Sequence, residues 1–254
     1  MQHLLLILST MFSFFSDYQG HGPALPSLPH NDSLGIGLLQ VSFIEPIPLY
    51  ASAEATQPFD TLVIKQKKDG SYAFLTKVLK KNLAPFRLFE GDTNEGGRRH
   101  TNMGLIHFPP ELQLRVIKAT STHFQVVINE QEKLTVFIRI NPAYTMYHKL
   151  FDRERNASKT DPRWYVYETW ENVLQRAYIV HIKKDIPVFE SPGGDRIPFP
   201  KLEDGCDDCF HIGEIKGDWA QMIDRQDRKK KPYGWVKWRD AKTLLVTYME
   251  FGYE

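Results

Sequence analysis

The two cysteines of this 254-residue chain stand three positions apart, in Cys206-Asp207-Asp208-Cys209. Thiols at that spacing can close a small disulfide loop, serve as a redox pair, or supply two ligands to a metal. Redox catalysis needs a thiolate, usually held at a helix N-terminus. Here the flanking residues read as a turn entering a strand, and Asp204, Asp207 and Asp208 disfavour a second negative charge. Zinc asks for four ligands, and His211 is the one histidine nearby in sequence, so no metal is expected. His211 lies two residues after Cys209 and would share a strand face with it, as a base must with a cysteine nucleophile. A disulfide between Cys206 and Cys209 is the expectation, and catalytic residues are expected to be absent. Gly35-Ile36-Gly37-Leu38-Leu39-Gln40 lacks the third glycine of a dinucleotide fingerprint and precedes a strand. The chain has no phosphate-binding loop, paired-histidine zinc motif or Gly-x-Ser-x-Gly, and no cofactor is expected.

Aromatic residues are the other candidates. Tyr50, Phe189, Trp219, Trp235 and Trp238 sit beside presumptive turns and edges, where they could line a groove for an extended peptide. A small barrel also needs large side chains to fill it, and Trp219 and Trp235 read as core. Arg225, Arg228, Lys229, Lys230 and Lys231 form a basic tip, and Arg98 and Arg99 a smaller one. Cations next to stacking aromatics can hold single-stranded nucleic acid. A formal net charge of +1 argues against a polyanion trap, so a solvated turn is expected and no nucleic-acid partner. Asn156-Ala157-Ser158 matches a glycosylation acceptor.

The elements that must hold these residues are strands. Alternation of apolar and polar residues marks strands at 38–44, 61–66, 71–76, 112–120, 124–129 and 134–140, with Asp69-Gly70 and Ser121-Thr122-His123 as hairpin turns. Residues 210–223 form another hairpin around Lys216-Gly217-Asp218, followed by strands near Gly234-Trp235-Val236 and at 244–251. Residues 90–104 are polar and Gly-rich and read as a mobile insertion. The charged stretch 149–159 reads as linker. Thr160-Asp161-Pro162 could start a helix, and Trp170, Val173 and Leu174 have helical spacing, so a short helix is expected between two β units.

At the start, Leu4 to Phe15 is nearly all apolar, too short to span a bilayer and of the length of a signal h-region. Export to the periplasm or medium is expected, with 1–20 as signal peptide, 21–35 as a Pro-rich spacer and no later transmembrane span. No cysteine follows the apolar run, so no lipid anchor is expected.

The two β units share collinear motifs. Ile47-Pro48-Leu49-Tyr50-Ala51-Ser52 matches Ile186-Pro187-Val188-Phe189-Glu190-Ser191, the segment 124–129 matches 219–224, and Phe137-Ile138-Arg139-Ile140 matches Trp235-Val236-Lys237-Trp238. The second copy resembles bacterial SH3-like (SH3b) domains in its opening segment, its hairpin ending in Gly217-Asp218-Trp219, its charged turn and its Gly234-Trp235-Val236. The resemblance covers residues 177–250, and 36–147 more loosely. It implies an all-β chain of two tandem SH3-like barrels, 36–147 and 177–254, joined by linker and helix at 148–176. It further implies an exported, non-enzymatic module that binds a peptide, a cell-wall polymer or an envelope protein. The competing expectations are a cysteine- or metal-dependent cell-wall hydrolase using Cys206, Cys209 and His211, and a structural subunit of an envelope assembly.

Overall fold

Strands dominate because apolar residues recur at every second position along much of the chain; most strands turn one face to a core, and central ones such as Gly37–Val41 and Glu111–Ala119 are buried on both faces. The computed structural model describes residues 24–41, 46–91, 110–140, 165–182, 185–202, 206, 208–224 and 231–250. The expected signal segment 1–20, residues 92–104 of the 90–104 insertion, the expected 149–159 linker with Asn156, the expected Thr160-Asp161-Pro162 helix start and the basic residues Arg98, Arg99, Arg225, Arg228, Lys229 and Lys230 lie outside them.

The first sheet runs β8 (Leu134–Arg139), β7 (His123–Asn129), β6 (Glu111–Ala119), β1 (Gly37–Val41) and β9 (Tyr165–Thr169), with β5 (Arg87–Phe89) also paired to β6. A three-stranded sheet of β2 (Ile47–Leu49), β3 (Asp60–Gln66) and β4 (Tyr72–Leu75) adjoins it. The two are linked where Tyr50 and Phe137 exchange both backbone hydrogen bonds at 2.9 Å. The second sheet runs β12 (Arg196–Ile197), β11 (Val188–Phe189), β15 (Gly234–Lys237), β14 (Trp219–Ile223), β13 (Cys209–Lys216), β10 (Ile179–Ile182) and β16 (Val246–Glu250). All these pairings are antiparallel. The chain is therefore all-β, as expected. Among the described residues no helix is long and apolar enough to cross a membrane.

The helix α1 (Trp170–Arg176) begins later than the sequence reading placed it. Residues 165–169 form a strand, because Val41 to Gly37 offers them a full ladder of partners. Thr169 then caps the helix, its hydroxyl accepting from Asn172 N–H. Seven residues are too few to stand alone. Burial of Trp170, Val173 and Leu174 holds them, with Arg176 tied back to Glu168 by a forked ion pair.

Two cores result. One gathers Leu39, Leu112, Leu114, Phe124, Val126 and Ile138 with the three-stranded sheet. The other gathers Trp170, Phe210, Met222, Val236 and Trp238. Strand β1 serves both, because alternation sends Leu39 and Val41 to the first and Leu38 to the second.

The internal repeat is present in register as well as in sequence. Tyr50 faces Phe137 in the first copy, and Phe189 faces Trp235 in the second. The middle match needs correction by one residue. Phe137 opposes Gln125, and Trp235 opposes Gln221, so the equivalent pairs are His123 with Trp219 and Phe124 with Ala220. A one-residue slip exchanges the two faces of a strand. Phe124 is accordingly fully buried, whereas Trp219 is half-buried on the outer face. The sequence match had joined two aromatics that serve opposite sides.

Candidate functional site

Side chains directly opposed in an antiparallel pair share one side of the sheet. In the second sheet one row therefore holds Arg196, Phe189, Trp235 and Gln221, and the next holds Lys237, Trp219 and Lys216. Phe189, Gln221 and Trp219 are half-buried, and Arg196, Lys216 and Lys237 are exposed. Trp235, 6% exposed, forms the floor. Phe189 and Trp219 meet edge to face at 5.1 Å. The Lys237 ammonium lies 5.5 Å from the Trp219 ring and that of Lys216 5.0 Å from the Trp235 ring, distances at which a cation is held by the ring face. Glu214 pairs with Lys216 at 3.0 Å. The face is an apolar aromatic strip rimmed by cations.

The tip of the β13–β14 hairpin sets that geometry. Gly217 takes φ +58°, which an L side chain seldom adopts, and lets Trp219 follow directly on the turn. Trp238 belongs elsewhere. It is fully buried, donates Nε1–H to the Gly217 carbonyl at 3.0 Å, and fixes the turn from below.

The first copy repeats the face in altered form. Tyr50, Phe137 and Gln125 form one row, and Arg139 and His123 the next. Arg139 stacks on Tyr50 at 4.4 Å, and His123 meets Phe137 edge to face at 5.5 Å. Here the chain's own polar groups occupy the exposed rim: Arg139 donates to the Ala55 carbonyl, and Glu54 lies within electrostatic reach of His123. Burial pushes the His123 pKa down, helped by the charges of Lys118 and Arg139 and opposed by Glu54.

The cysteines lie on a different part of the second sheet. Cys206 and Cys209 are joined as a disulfide, their Cα atoms 5.5 Å apart. His181 stands directly across the β10–β13 ladder from Cys209. Its Nδ1 is 3.7 Å from Cys209 Sγ and 3.2 Å from Asp208 Oδ1. His211, the sequence candidate, is buried on β13 and is not among the donors gathered here: His181, Cys206, Asp208 and Cys209 come together, their ligand atoms within 4.8 Å of one another.

Of the residues singled out in the sequence, Phe189, Trp219 and Trp235 converge. Tyr50 occupies the equivalent place in the other copy, Trp238 is core, and Lys231 is exposed just before β15. Sequence reasoning missed Gln221, Lys216, Lys237 and Arg196, although alternation from Trp219 and Trp235 carries the signal for Gln221 and Lys237. It also missed His181, which only the strand register brings to the cysteines. Comparison with family models, curated proteins and solved structures found no match to this chain.

Proposed function

We propose that the chain is an exported, non-enzymatic binding module that holds an extended, carboxylate-bearing peptide on the outer face of its second sheet. The observation that carries this reading is the row-by-row arrangement of Phe189, Trp235, Gln221 and Trp219 within a rim of Arg196, Lys216 and Lys237. Aromatic rings supply contact area at little entropic cost, Gln221 can bond a peptide backbone, and the cations favour acidic side chains or a free carboxylate. The likeness of residues 177–250 to SH3b domains supports the same reading and adds the two-barrel organisation and cell-wall peptides as the ligand class. The apolar run Leu4 to Phe15 supports export.

The test is a titration of the full chain with oligo-glutamate peptides and, separately, with soluble cell-wall peptides, followed by tryptophan fluorescence. A saturable change that weakens with added salt is expected. No change with either probe would sink the proposal.

The second reading, a subunit of an envelope assembly, has one observation in its favour. Val63 and Leu75 face each other across β3 and β4 with 36% and 48% of their surfaces exposed, and β4 ends its sheet among the described residues. Self-association that disappears on dilution in size measurements would support it.

A further inference from the structure

We propose that in its dithiol state this chain binds one zinc-class divalent cation through His181, Cys206, Asp208 and Cys209, a site separate from the peptide face and independent of it. The donor set is two thiolates, an imidazole and a carboxylate, which is chemistry that zinc accepts and that magnesium or calcium does not.

Geometry carries the inference. A tetrahedral zinc with ligands at roughly 2.0–2.3 Å places its donors roughly 3.3–3.8 Å apart. Cys209 Sγ and His181 Nδ1 are 3.7 Å apart, His181 Nδ1 and Asp208 Oδ1 3.2 Å. Asp208 Oδ1 lies 3.5 Å from Cys206 Sγ and 3.9 Å from Cys209 Sγ. Four edges of the tetrahedron thus stand near their required lengths, and opening the sulfur–sulfur bond frees the edge between the cysteines.

The scaffold is fixed by the backbone. His181 and Cys209 are register partners, and their neighbours Val180 and Phe210, also paired, are fully buried on the opposite side. The Asp208 carbonyl accepts from Ile182 N–H at 3.0 Å, which ties the cysteine turn to β10. The backbone at His181, Asp208 and Cys209 therefore needs little ordering when a cation arrives.

The chemistry balances with a thiol as reductant. Two R–SH deliver two electrons and two protons to the Cys206–Cys209 disulfide, giving two cysteine thiols and R–S–S–R. Zinc then displaces both thiol protons and is held by the two thiolates. Disulfide and metal are alternative occupants of the same turn, so the redox state decides which is present.

The experiment uses the full chain, reduced with a phosphine under nitrogen and freed of reductant, with cobalt(II) as a spectroscopic stand-in. One equivalent should give the visible bands of tetrahedral cobalt and a thiolate-to-cobalt charge-transfer band. One equivalent of zinc should then bleach both, and the oxidised chain should show neither. His181→Ala and Asp208→Asn should each weaken cobalt binding by about tenfold or more, while His123→Ala leaves it unchanged. Asp208 is 38% exposed, so its replacement leaves the core intact, and far-ultraviolet circular dichroism checks the fold. A folded, reduced chain that takes up no cobalt overturns the proposal. So does an affinity and spectrum unmoved by His181→Ala or by Asp208→Asn.

Discussion

Asp60 shows how much one side chain can fix. Its carboxylate is nearly buried, and burial alone would raise its pKa. Four backbone N–H donors outweigh that: Thr61 and Lys77 at one oxygen, Val78 and Leu79 at the other, all within 2.9 Å. The net result is a pKa below the ordinary value of 3.8. Asp60→Asn keeps one accepting oxygen and sets an amide against two donors, so urea unfolding should show a loss of about 2 kcal/mol. Because the folded-state pKa is the lower one, this stabilisation is complete above pH 3.8 and lost as acid carries the carboxylate through its folded value. His123 works in the same sense in a higher window. Its folded pKa is also depressed, so stability should begin to fall as pH drops below 6.5, and His123→Phe should abolish that upper step in a pH series of melts. Neither role was legible in the sequence. Asp60 opens β3 and reads in the sequence like many surface acids, and its four donors come mainly from residues 77–79. The cysteine pair was legible as chemistry, but its partner His181 was not, since it stands twenty-five positions before Cys206 and only the strand register brings the two together.

At the scale of elements the pattern was far more readable. Period-two alternation placed the two hairpins of the first unit and the Lys216-Gly217-Asp218 hairpin close to where they stand. It failed at 165–169, where Trp170, Val173 and Leu174 gave a true helical signal that was extended too far toward the N-terminus; pairing with β1 wins there. Two substitutions test this account of the elements. Trp170→Ala removes the largest fully buried side chain from the helix and should cost about 3–5 kcal/mol in denaturant unfolding, because a seven-residue helix has no other anchor of that size. A Cβ at Gly37 would collide with the Glu168 carbonyl and come within 2.8 Å of the Thr169 Cα. Gly37→Ala should therefore open the β1–β9 ladder, read as faster hydrogen exchange at residues 165–169. The repeat was visible in sequence and wrong by one residue in its middle segment, because amphipathic strands of similar composition align almost as well out of phase as in phase.

For the whole molecule, two copies of one strand arrangement present the same kind of outer face, and they differ in what occupies the rim. In the first copy Arg139 is engaged with Tyr50 and the Ala55 carbonyl, and Glu54 sits close by. In the second, Arg196, Lys216 and Lys237 surround the rings, and the chain contributes Glu214 as a counter-charge to Lys216. On this account binding belongs to the second face and stability to the first. The decisive measurement is isothermal titration of the full chain with an oligo-glutamate peptide, beside Trp219→Ala and Lys237→Glu. One site is expected on the wild-type chain, with affinity reduced by about tenfold or more in each variant and melting temperatures unchanged. Wild-type affinity in both variants, or no binding by the wild-type chain, would contradict this account.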